Sequence, residues 1–557
     1  MTDRTDGIGE LVAGYLDHTI SRRQFMQRAV AAGASIPAAA ALLASMSTRV
    51  AAQDAMEPRV GGTFLEGYDR DVSKMDPVAS SWADPAYNAV WERVVTMDAD
   101  QNVVNQLATN MEFSPDAMTL TITIPSGLVF QSGVPVTADI VRQDFELFRT
   151  GQNPPFWAPT ESVESPDENT VVVNFSTPYA AIPWSLKGEY TDIFDPAARE
   201  AAGDDWGTTV LDGSGPFKLR SWAPGEGTVV ERWDDYPGSA AEFIENKGTS
   251  YVDAVHWVPI LEAANRANEL EAGSMHAIKA PLAADIPRLV DNPDITVTEF
   301  PELSNFILGL DFTATELGFD DLRVRQAISG AINRQGIVNA VLFGHGEGTP
   351  GPISSAFRWY NPEVEAHNTF DPDASRALLA DAGWVAGDDG ILEKDGTKMS
   401  FEVLNLNDTT GNLVMQVMSD QLKDIGVDFR PKNLEQALMF SESGVFGPHK
   451  AMTFKWLWSS PMDVVLLFAI ADNPFASSSG AEFLPDVVAA YEAWQQAAND
   501  EELEAAAKAA QLIHAQQLPY IPLYTPNAVW AQSNKVHGWL PTKGNLYPYY
   551  NDVWFEE

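Results

Sequence analysis

The segment Asp321-Leu-Arg-Val-Arg-Gln-Ala-Ile-Ser-Gly-Ala-Ile-Asn-Arg334 carries a helical pattern. Its apolar side chains recur at the three- and four-residue spacing that places them on one face of an α-helix. They are Val324, Ala327, Ile328, Ala331 and Ile332. Asp320 or Asp321 can cap the amino end. The pattern predicts a helix over 321–334 with one face packed against a core.

Short β-branched segments alternate with helices elsewhere in the chain. Leu120-Thr-Ile-Thr-Ile124 and Thr170-Val-Val-Val-Asn-Phe175 read as strands, and Ser165-Pro-Asp-Glu-Asn169 before the second reads as a turn. A further helix begins at Asp371-Pro372 and ends at Gly383. Alternating strands and helices predict an α/β fold.

The amino terminus has the features of an export signal. Arg22 and Arg23 precede an uncharged, Ala-rich run from Ala29 to Met46, and Val50-Ala-Ala52 supplies small residues for cleavage. Ser21-Arg-Arg-Gln-Phe-Met26 resembles the twin-arginine signal, which implies the twin-arginine translocase as a partner. A chance arginine pair and an uncleaved anchor are the alternatives. We expect residues 1–52 to be removed and the protein to reach a periplasm or the outer face of the cytoplasmic membrane.

Composition narrows the functional classes. Residues 1–52 hold five basic and four acidic side chains, so the remaining chain carries 30 basic and 74 acidic residues. A net charge of −44 disfavours binding to nucleic acid or anionic membranes. The absence of cysteine excludes disulfides, thiol catalysis and Cys-ligated metals. The length after residue 52 indicates two or more lobes.

Several motifs together resemble the family 5 solute-binding proteins, the peptide, dipeptide and nickel group of ABC importers. In chain order the segments are Gly61–Phe64, Met75–Pro77, Leu107–Thr109, Phe113–Asp116, Phe130–Val141, Gly213–Leu219, Phe319–Ile328, Phe370–Leu379, Ala382–Trp384 and Leu518–Leu523. The resemblance implies a monomeric receptor without cofactors that binds a small solute and delivers it to an ABC permease and ATPase complex. It also implies a class II periplasmic-binding-protein-like α/β fold with two lobes and a hinge.

The resemblance implies an extra domain in the first lobe. We expect lobe I to comprise 58–96, 208–303 and 525–557, the extra domain 97–207, and lobe II 304–524. The crossovers are expected near 301–306 and 522–526. Other motifs have structural interpretations. Arg323 and Arg325 are expected to pair with local carboxylates, and Gly213–Pro216 to form a backbone turn.

The candidate ligand-binding residues begin with Trp456, Trp458, Ser459 and Asp463. The two indoles share a face if the segment is extended. In the resembling family this stretch carries a Trp and, three residues later, an Asp that captures the ammonium of a peptide. Here Ser459 occupies that position, and Asp463 is the nearest carboxylate.

A second group of candidates comprises Trp82, Asp84 and Phe306. In the family, the strand matching 80–84 pairs with the peptide backbone. For each aromatic residue, packing in the core is the alternative to ligand contact.

Peptides are the leading cargo, and an oligosaccharide or another neutral solute is the alternative, because Ser459 removes the ammonium partner. The eight histidines lack His-x-His or His-x-x-x-His pairs, which disfavours nickel, and no metal or catalytic residues are assigned. The rival from another class is a secreted hydrolase, but Gly-x-Ser-x-Gly and His-Glu-x-x-His motifs are absent. A sensor that signals without transport also fits the sequence.

Overall fold

The strands of the computed structural model form one large sheet and several small ones. The structure describes residues 57–71, 74–79, 85–151, 154–188, 190–441, 444–445, 447–455, 462, 484–539, 541 and 547–556. The strands of these parts are β1 (Thr63–Tyr68), β2 (Val95–Met97), β3 (Val103–Asn105), β4 (Asn110–Phe113), β5 (Thr119–Thr123), β6 (Thr160–Asp167), β7 (Thr170–Phe175), β8 (Phe217–Ala223), β9 (Gly227–Arg232), β10 (Ala254–Pro259), β11 (Ala277–Lys279), β12 (Ile295–Pro301), β13 (Phe306–Leu310), β14 (Gly346–Gly348), β15 (Val385–Ala386), β16 (Leu392–Lys394), β17 (Thr397–Lys398), β18 (Ser400–Leu406), β19 (Asp428–Leu434), β20 (Ala451–Lys455), β21 (Ile521–Ser533), β22 (Val536–His537) and β23 (Trp554–Phe555).

Helices alternate with these strands, which confirms the predicted α/β class. They are α1 (Tyr87–Val90), α2 (Ala138–Arg149), α3 (Ile182–Leu186), α4 (Pro196–Ala202), α5 (Ala263–Glu271), α6 (Ile286–Val290), α7 (Leu322–Gly330), α8 (Arg334–Val341), α9 (Pro372–Asp381), α10 (Thr409–Lys423), α11 (Gln436–Met439), α12 (Pro485–Gln495) and α13 (Asp500–Gln517). In the described part of the chain, none of the helices has the length and apolar character needed to span a membrane.

The large sheet has two halves that share the long strand β21. The first half-sheet has the order β8-β9-β10-β1-β11 and joins the carboxyl-terminal part of β21, on which β12 also pairs. The second half-sheet has the order β19-β18-β20-β13 and joins the amino-terminal part of β21, where β14 pairs. Two segments connect the half-sheets. Strand β21 passes from one half-sheet to the other at Pro526–Asn527, and the segment from Pro301 to Phe306 joins β12 of the first to β13 of the second.

A separate four-stranded sheet, in the order β4-β5-β7-β6, lies within residues 97–207. Alternate residues of β7 are buried, as expected for a strand with one face on a core. Helix α2 packs on β6 and β7, and the Thr137 hydroxyl caps it by accepting the Ile140 N–H. The strands predicted near 120–124 and at 170–175 are confirmed. The predicted turn before β7 is shorter than expected, because β6 extends to Asp167.

The helix predicted over 321–334 is correct in its first part and wrong in its length. Asp321 caps α7 and the predicted apolar stripe is buried, but α7 ends at Gly330. Asn333 then caps α8, because its Oδ1 accepts the Gly336 N–H at 2.8 Å. The helix predicted at 371–383 is confirmed, since Asp371 caps α9 and Gly383 adopts a positive φ of 90° after it.

Candidate functional site

Charged residues gather where two parallel strands of the first half-sheet end. Strand β1 ends at Tyr68 and is followed by Asp69 and Arg70, while its parallel neighbour β11 ends at Lys279. Because the strands are parallel and in register, their carboxyl ends meet at one edge of the sheet. Ligands of α/β proteins bind outside such carboxyl ends. This position makes the four residues candidates for ligand contact.

Two cations share a pair of tyrosines at this edge. The Lys279 Nζ donates a hydrogen bond to the Tyr68 Oη at 3.0 Å. Arg70 donates from Nη2 to the Tyr547 Oη at 2.9 Å and to the Tyr68 Oη at 3.4 Å. The Lys279 ammonium also lies 4.9 Å from the centre of the Tyr68 ring and 5.5 Å from that of Tyr547. Cation–π attraction therefore adds to the hydrogen bonds.

Asp69 lies between Tyr68 and Arg70 in the sequence and carries the acidic side chain of this edge. Burial acts to raise the pKa of its carboxyl, but four positive charges lower that pKa to about 2. The charges belong to Lys279, Arg70, Arg266 and Lys455. Oδ1 of Asp69 is buried and accepts no hydrogen bond from the described residues. The carboxylate is therefore ionised at neutral pH and held by long-range attraction.

Glu66 lies two residues before Tyr68 in β1, so the two side chains are on the same face of the strand. The Glu66 side chain is fully buried. Its Oε2 accepts hydrogen bonds from the Tyr550 hydroxyl at 2.8 Å and from the Trp257 Nε1 at 3.2 Å. Burial raises the pKa of Glu66 to about 7, although these hydrogen bonds and Lys279 act to lower it. Glu66 is therefore only partly ionised at neutral pH.

The second half-sheet contributes a further group at the crossover. Phe306 begins β13, and its ring stacks on Tyr524 at 5.1 Å between centroids. Lys455, the last residue of β20, is the register partner of Phe306. Its Nζ pairs with the carboxylate of Glu302 at 3.1 Å. Glu302 lies in the segment that joins the two half-sheets.

The two groups are electrostatic neighbours. Lys455 of the second half-sheet contributes to the lowered pKa of Asp69, which follows β1 in the first. Burial lowers the pKa of Lys279, and the negative charge of Glu302 acts against that change. The charged edge and the aromatic crossover therefore belong to one region, which we call the crossover cluster. Its members are Glu66, Tyr68, Asp69, Arg70, Lys279, Glu302, Phe306, Lys455, Tyr524 and Tyr547.

Most of the ligand residues predicted from the sequence lie outside the described residues. They are Trp82, Asp84, Trp456, Trp458, Ser459 and Asp463, and the arginines of the export signal, Arg22 and Arg23, lie outside as well. Phe306 is described and is part of the crossover cluster. Lys455 directly precedes Trp456 in the chain. The assignment of these residues to a ligand site stays a prediction.

The motifs interpreted as structural have clear contacts. Arg323 pairs with Asp321 at 2.6 Å, as predicted. Arg325 was expected to pair with a carboxylate, but its guanidinium donates to the backbone carbonyls of Phe319, Asp320 and Gln517. It is almost completely buried and joins α7 to the end of α13. The expected partner was therefore wrong, while the structural role was correct.

The glycine-rich turn at Gly213 is explained by packing. A Cβ atom at Gly213 would lie 1.9 Å from the carbonyl oxygen of Val90, and one at Gly215 would lie 2.6 Å from that of Ala89. The Gly215 N–H donates to the Val90 carbonyl at 2.9 Å. The turn therefore presses its backbone directly on α1, where no side chain fits.

A cavity of about 360 Å³ opens beside β18 and β19, with Lys398, Arg430, Lys432 and Lys450 in its lining. Lys450 pairs with Glu316 at 2.9 Å, and Lys398 pairs with Asp389. Much of its positive charge is thus already neutralised. Among the described residues, no group of three histidine, aspartate or glutamate side chains is arranged to hold a metal ion.

The charged members of the crossover cluster were not predicted from the sequence. One signal was available, because Glu66 sits at an inward-facing position of a strand whose neighbours Phe64 and Tyr68 are apolar or aromatic. A second was the run Tyr68-Asp69-Arg70 directly after that strand. Lys279 carries no comparable signal, because its significance depends on the pairing of β11 with β1.

The chain is similar to bacterial solute-binding proteins. The sequence model described as "Bacterial extracellular solute-binding proteins, family 5 Middle" matches residues 102–474. The probable D,D-dipeptide-binding periplasmic protein DdpA of Escherichia coli K12 is 29% identical over 349 residues, which cover 62% of this chain and 63% of DdpA, less than two thirds of its length. The glutathione-binding protein GsiB of the same strain is 25% identical over 525 residues, which cover 90% of this chain and 94% of GsiB.

Solved structures have the same fold. The oligopeptide-binding protein AppA of Bacillus subtilis, in complex with a nonapeptide, superimposes with a TM-score of 0.76 at 22% sequence identity. The superposition covers 90% of this chain and 100% of AppA. The predicted α/β fold of the two-lobed periplasmic-binding type is therefore confirmed.

Proposed function

We propose, because the chain belongs to family 5 of the bacterial extracellular solute-binding proteins, that it captures peptides outside the cytoplasm for an ABC importer. The membrane permease and ATPase of that importer would receive the loaded protein. The relatives found are binding proteins, and two of them are named for dipeptide or glutathione binding. A non-enzymatic role agrees with this.

The crossover cluster is the observation that carries the proposal. It lies where β21 and the segment 301–306 pass between the half-sheets, and both halves contribute charged and aromatic side chains to it. We propose that the half-sheets belong to lobes I and II with the boundaries predicted above, and that the two crossovers act as the hinge. Closure around a ligand would remove water and strengthen its polar contacts.

We further propose that Trp82, Asp84, Trp456, Trp458, Ser459 and Asp463 contact the cargo together with Phe306. The segment 456–463 follows Lys455, a member of the crossover cluster, in the sequence. The indoles would pack on apolar side chains of a peptide. The same surfaces stack on sugar rings, so an oligosaccharide is the second candidate, favoured by Ser459 in place of a carboxylate.

Thermal-shift titration of residues 53–557 tests the function. Di- to pentapeptides and di- to tetrasaccharides are added to the purified protein, and the melting temperature is followed. A ligand that binds only the folded state stabilises it by mass action, by about 2.7 kcal/mol at 100 times its Kd. We expect a dose-dependent rise with peptides. A rise with saccharides alone would transfer the proposal to the second candidate.

The same titrations on Trp456→Ala and Trp458→Ala address the ligand residues. We expect the apparent affinity for peptides, taken from the dose dependence of the melting temperature, to fall at least tenfold. The circular dichroism spectrum should stay unchanged. Phe343→Ala is a matched control, because Phe343 is an exposed aromatic residue of the described chain. Loss of folding in the Trp variants would identify these side chains as core residues.

We also propose that the chain is exported by the twin-arginine translocase to the periplasm, where its relative DdpA is located by name. Changing Arg22 and Arg23 to Lys keeps the charge but removes the guanidinium pair that the signal carries. We expect uncleaved precursor to accumulate in the cytoplasm, measured by fractionation and immunoblotting. Normal export of the double variant would contradict the twin-arginine route. Arg4→Lys is the control.

A further inference from the structure

Asp69 is a partly exposed acidic residue at the ligand edge of the first half-sheet. It directly follows β1, which runs parallel to its two neighbours β10 and β11. Ligands of α/β proteins bind outside the carboxyl ends of such strands. The Oδ1 atom is buried, although the residue as a whole is partly exposed. Asp69 therefore combines access from the surface with a position at the expected binding edge.

The Asp69 carboxylate is ionised without the help of hydrogen-bond donors. Its Oδ1 accepts no hydrogen bond from the described residues, and the leading influences on its pKa are burial and four positive charges. Other aspartates with a lowered pKa differ, because a hydrogen bond is the largest lowering influence on each of them. They are Asp116, Asp139, Asp167, Asp321 and Asp389. The Asp69 carboxylate thus keeps acceptor capacity that the described residues do not use.

Three of the cations that act on Asp69 donate to other groups. Lys279, whose charge lowers the pKa of Asp69 most, donates to the Tyr68 Oη at 3.0 Å. Arg266 donates to backbone carbonyls, and Lys455 pairs with a glutamate of the segment between β12 and β13. These side chains surround the carboxylate with positive potential and leave its Oδ1 lone pairs to another donor.

The same charges decide which kind of donor suits Asp69. A ligand ammonium would bring a further positive charge into a region where four already act on the carboxylate. Like charges repel more strongly where water is excluded. An uncharged N–H or O–H group avoids this repulsion, and its hydrogen bond to an ionised acceptor is stronger than one between two neutral groups. The charge distribution therefore favours a neutral donor over an ammonium.

We propose that Asp69 accepts a hydrogen bond from an uncharged N–H or O–H group of the cargo. This inference rests on the proposed receptor function and names the part of the cargo that this residue recognises. In a peptide the donor is a backbone amide, and in an oligosaccharide it is a hydroxyl. Recognition of the peptide chain agrees with Ser459 at the position where the resembling family carries its ammonium acceptor.

Isothermal titration calorimetry on Asp69→Asn tests the assignment. The probes are oligoalanines of two to five residues, and maltose, maltotriose and maltotetraose. We expect the Kd of each probe that binds the wild-type protein to rise at least tenfold, because Asn keeps the shape of the side chain but not its charge. A loss with peptides assigns the donor to an amide, and a loss with saccharides assigns it to a hydroxyl. Unchanged binding of both kinds of probe would overturn the proposal.

Asp235→Asn is the matched control for the change in net charge. Asp235 is an exposed aspartate in the turn after β9. We expect this variant to leave each Kd within twofold of the wild-type value. Circular dichroism of both variants without ligand shows that each is folded before its binding is measured.

Desamino peptides separate a neutral donor from an ammonium. In the desamino form of each oligoalanine a hydrogen atom replaces the terminal ammonium, and no bulk is added. We expect its Kd for the wild-type protein to lie within threefold of that of the free peptide, a comparison that needs no variant. Asp69→Asn should weaken both forms by the same factor. A desamino peptide that binds at least tenfold more weakly, and that no longer responds to Asp69→Asn, would make Asp69 the ammonium acceptor and overturn the proposal.

The outcomes distinguish this proposal from the receptor function. Binding of peptides or saccharides that does not respond to Asp69→Asn contradicts the hydrogen bond at Asp69 and leaves the receptor role intact. Absence of binding by every probe contradicts the proposed cargo and, with it, the donor at Asp69.

Discussion

Replacing Arg93 by Met is expected to destabilise the protein by about 3–5 kcal/mol, the usual cost of removing one partner of a buried ion pair. Arg93 pairs with Asp192 at 3.0 Å, and both side chains are buried. The Arg93 guanidinium also donates to the Asn88 Oδ1 at 3.0 Å. In the variant, the Asp192 carboxylate stays in a low-dielectric environment without the guanidinium that pairs with it. The midpoint of urea unfolding, followed by circular dichroism, measures the loss.

A double variant identifies the cause of this loss. Adding Asp192→Asn to Arg93→Met removes the remaining charge, and replacing both members of a buried pair is much less costly than breaking it. We therefore expect the double variant to regain part of the stability. Arg142→Met is the control, because its ion pair with Asp139 is partly exposed and worth about 0.3–0.5 kcal/mol. An equal loss in the single and double variants would show that packing, not charge, is responsible.

Local patterns in the sequence predicted the elements whose structure depends on near neighbours. The stripe from Val324 to Ile332 is buried as predicted, and Asp371 caps its helix as predicted. The helix predicted over 321–334 was wrong in length because Asn333, one residue before its expected end, caps a second helix instead. Asn333 was interpreted as a helical residue, whereas its side chain begins α8. A polar residue near a helix end satisfies both patterns, and only packing decides between them.

The charged members of the crossover cluster could not be predicted in the same way, because their meaning comes from distant partners. Lys279 ends a three-residue strand, and its contacts to Tyr68 and Tyr547 join residues more than 200 positions apart. In the sequence, Glu66 is an ordinary polar residue of a short strand. Its role depends on the hydrogen bonds that the distant residues Tyr550 and Trp257 donate to it. For Arg325 a local carboxylate was expected, but its guanidinium donates to backbone carbonyls, two of them local and the third, that of Gln517, at the end of another helix.

A buried carboxyl near α1 is expected to make stability strongly dependent on pH. Glu92 follows Trp91 and is buried, and the Tyr236 hydroxyl donates to its Oε1 at 2.8 Å. Burial raises the pKa of Glu92 from 4.5 to about 8. The folded protein therefore keeps a proton that the unfolded chain releases above pH 4.5. The free energy of unfolding consequently falls as the pH rises from 4.5 to 8, by roughly 1.4 kcal/mol per pH unit at most.

Glu92→Gln isolates this contribution. Gln has the same shape and can accept the Tyr236 hydrogen bond, but it does not ionise. We expect the variant to match the wild-type protein at pH 4.5 and to exceed its stability by several kcal/mol at pH 8, on the linkage argument above. Melting temperatures measured between pH 4.5 and 9 give the comparison. Glu112→Gln, at an exposed position of β4, corrects for the change in net charge. Parallel curves for the wild-type protein and Glu92→Gln would contradict the shifted pKa, because a carboxyl that ionises alike in both states leaves no pH-dependent difference.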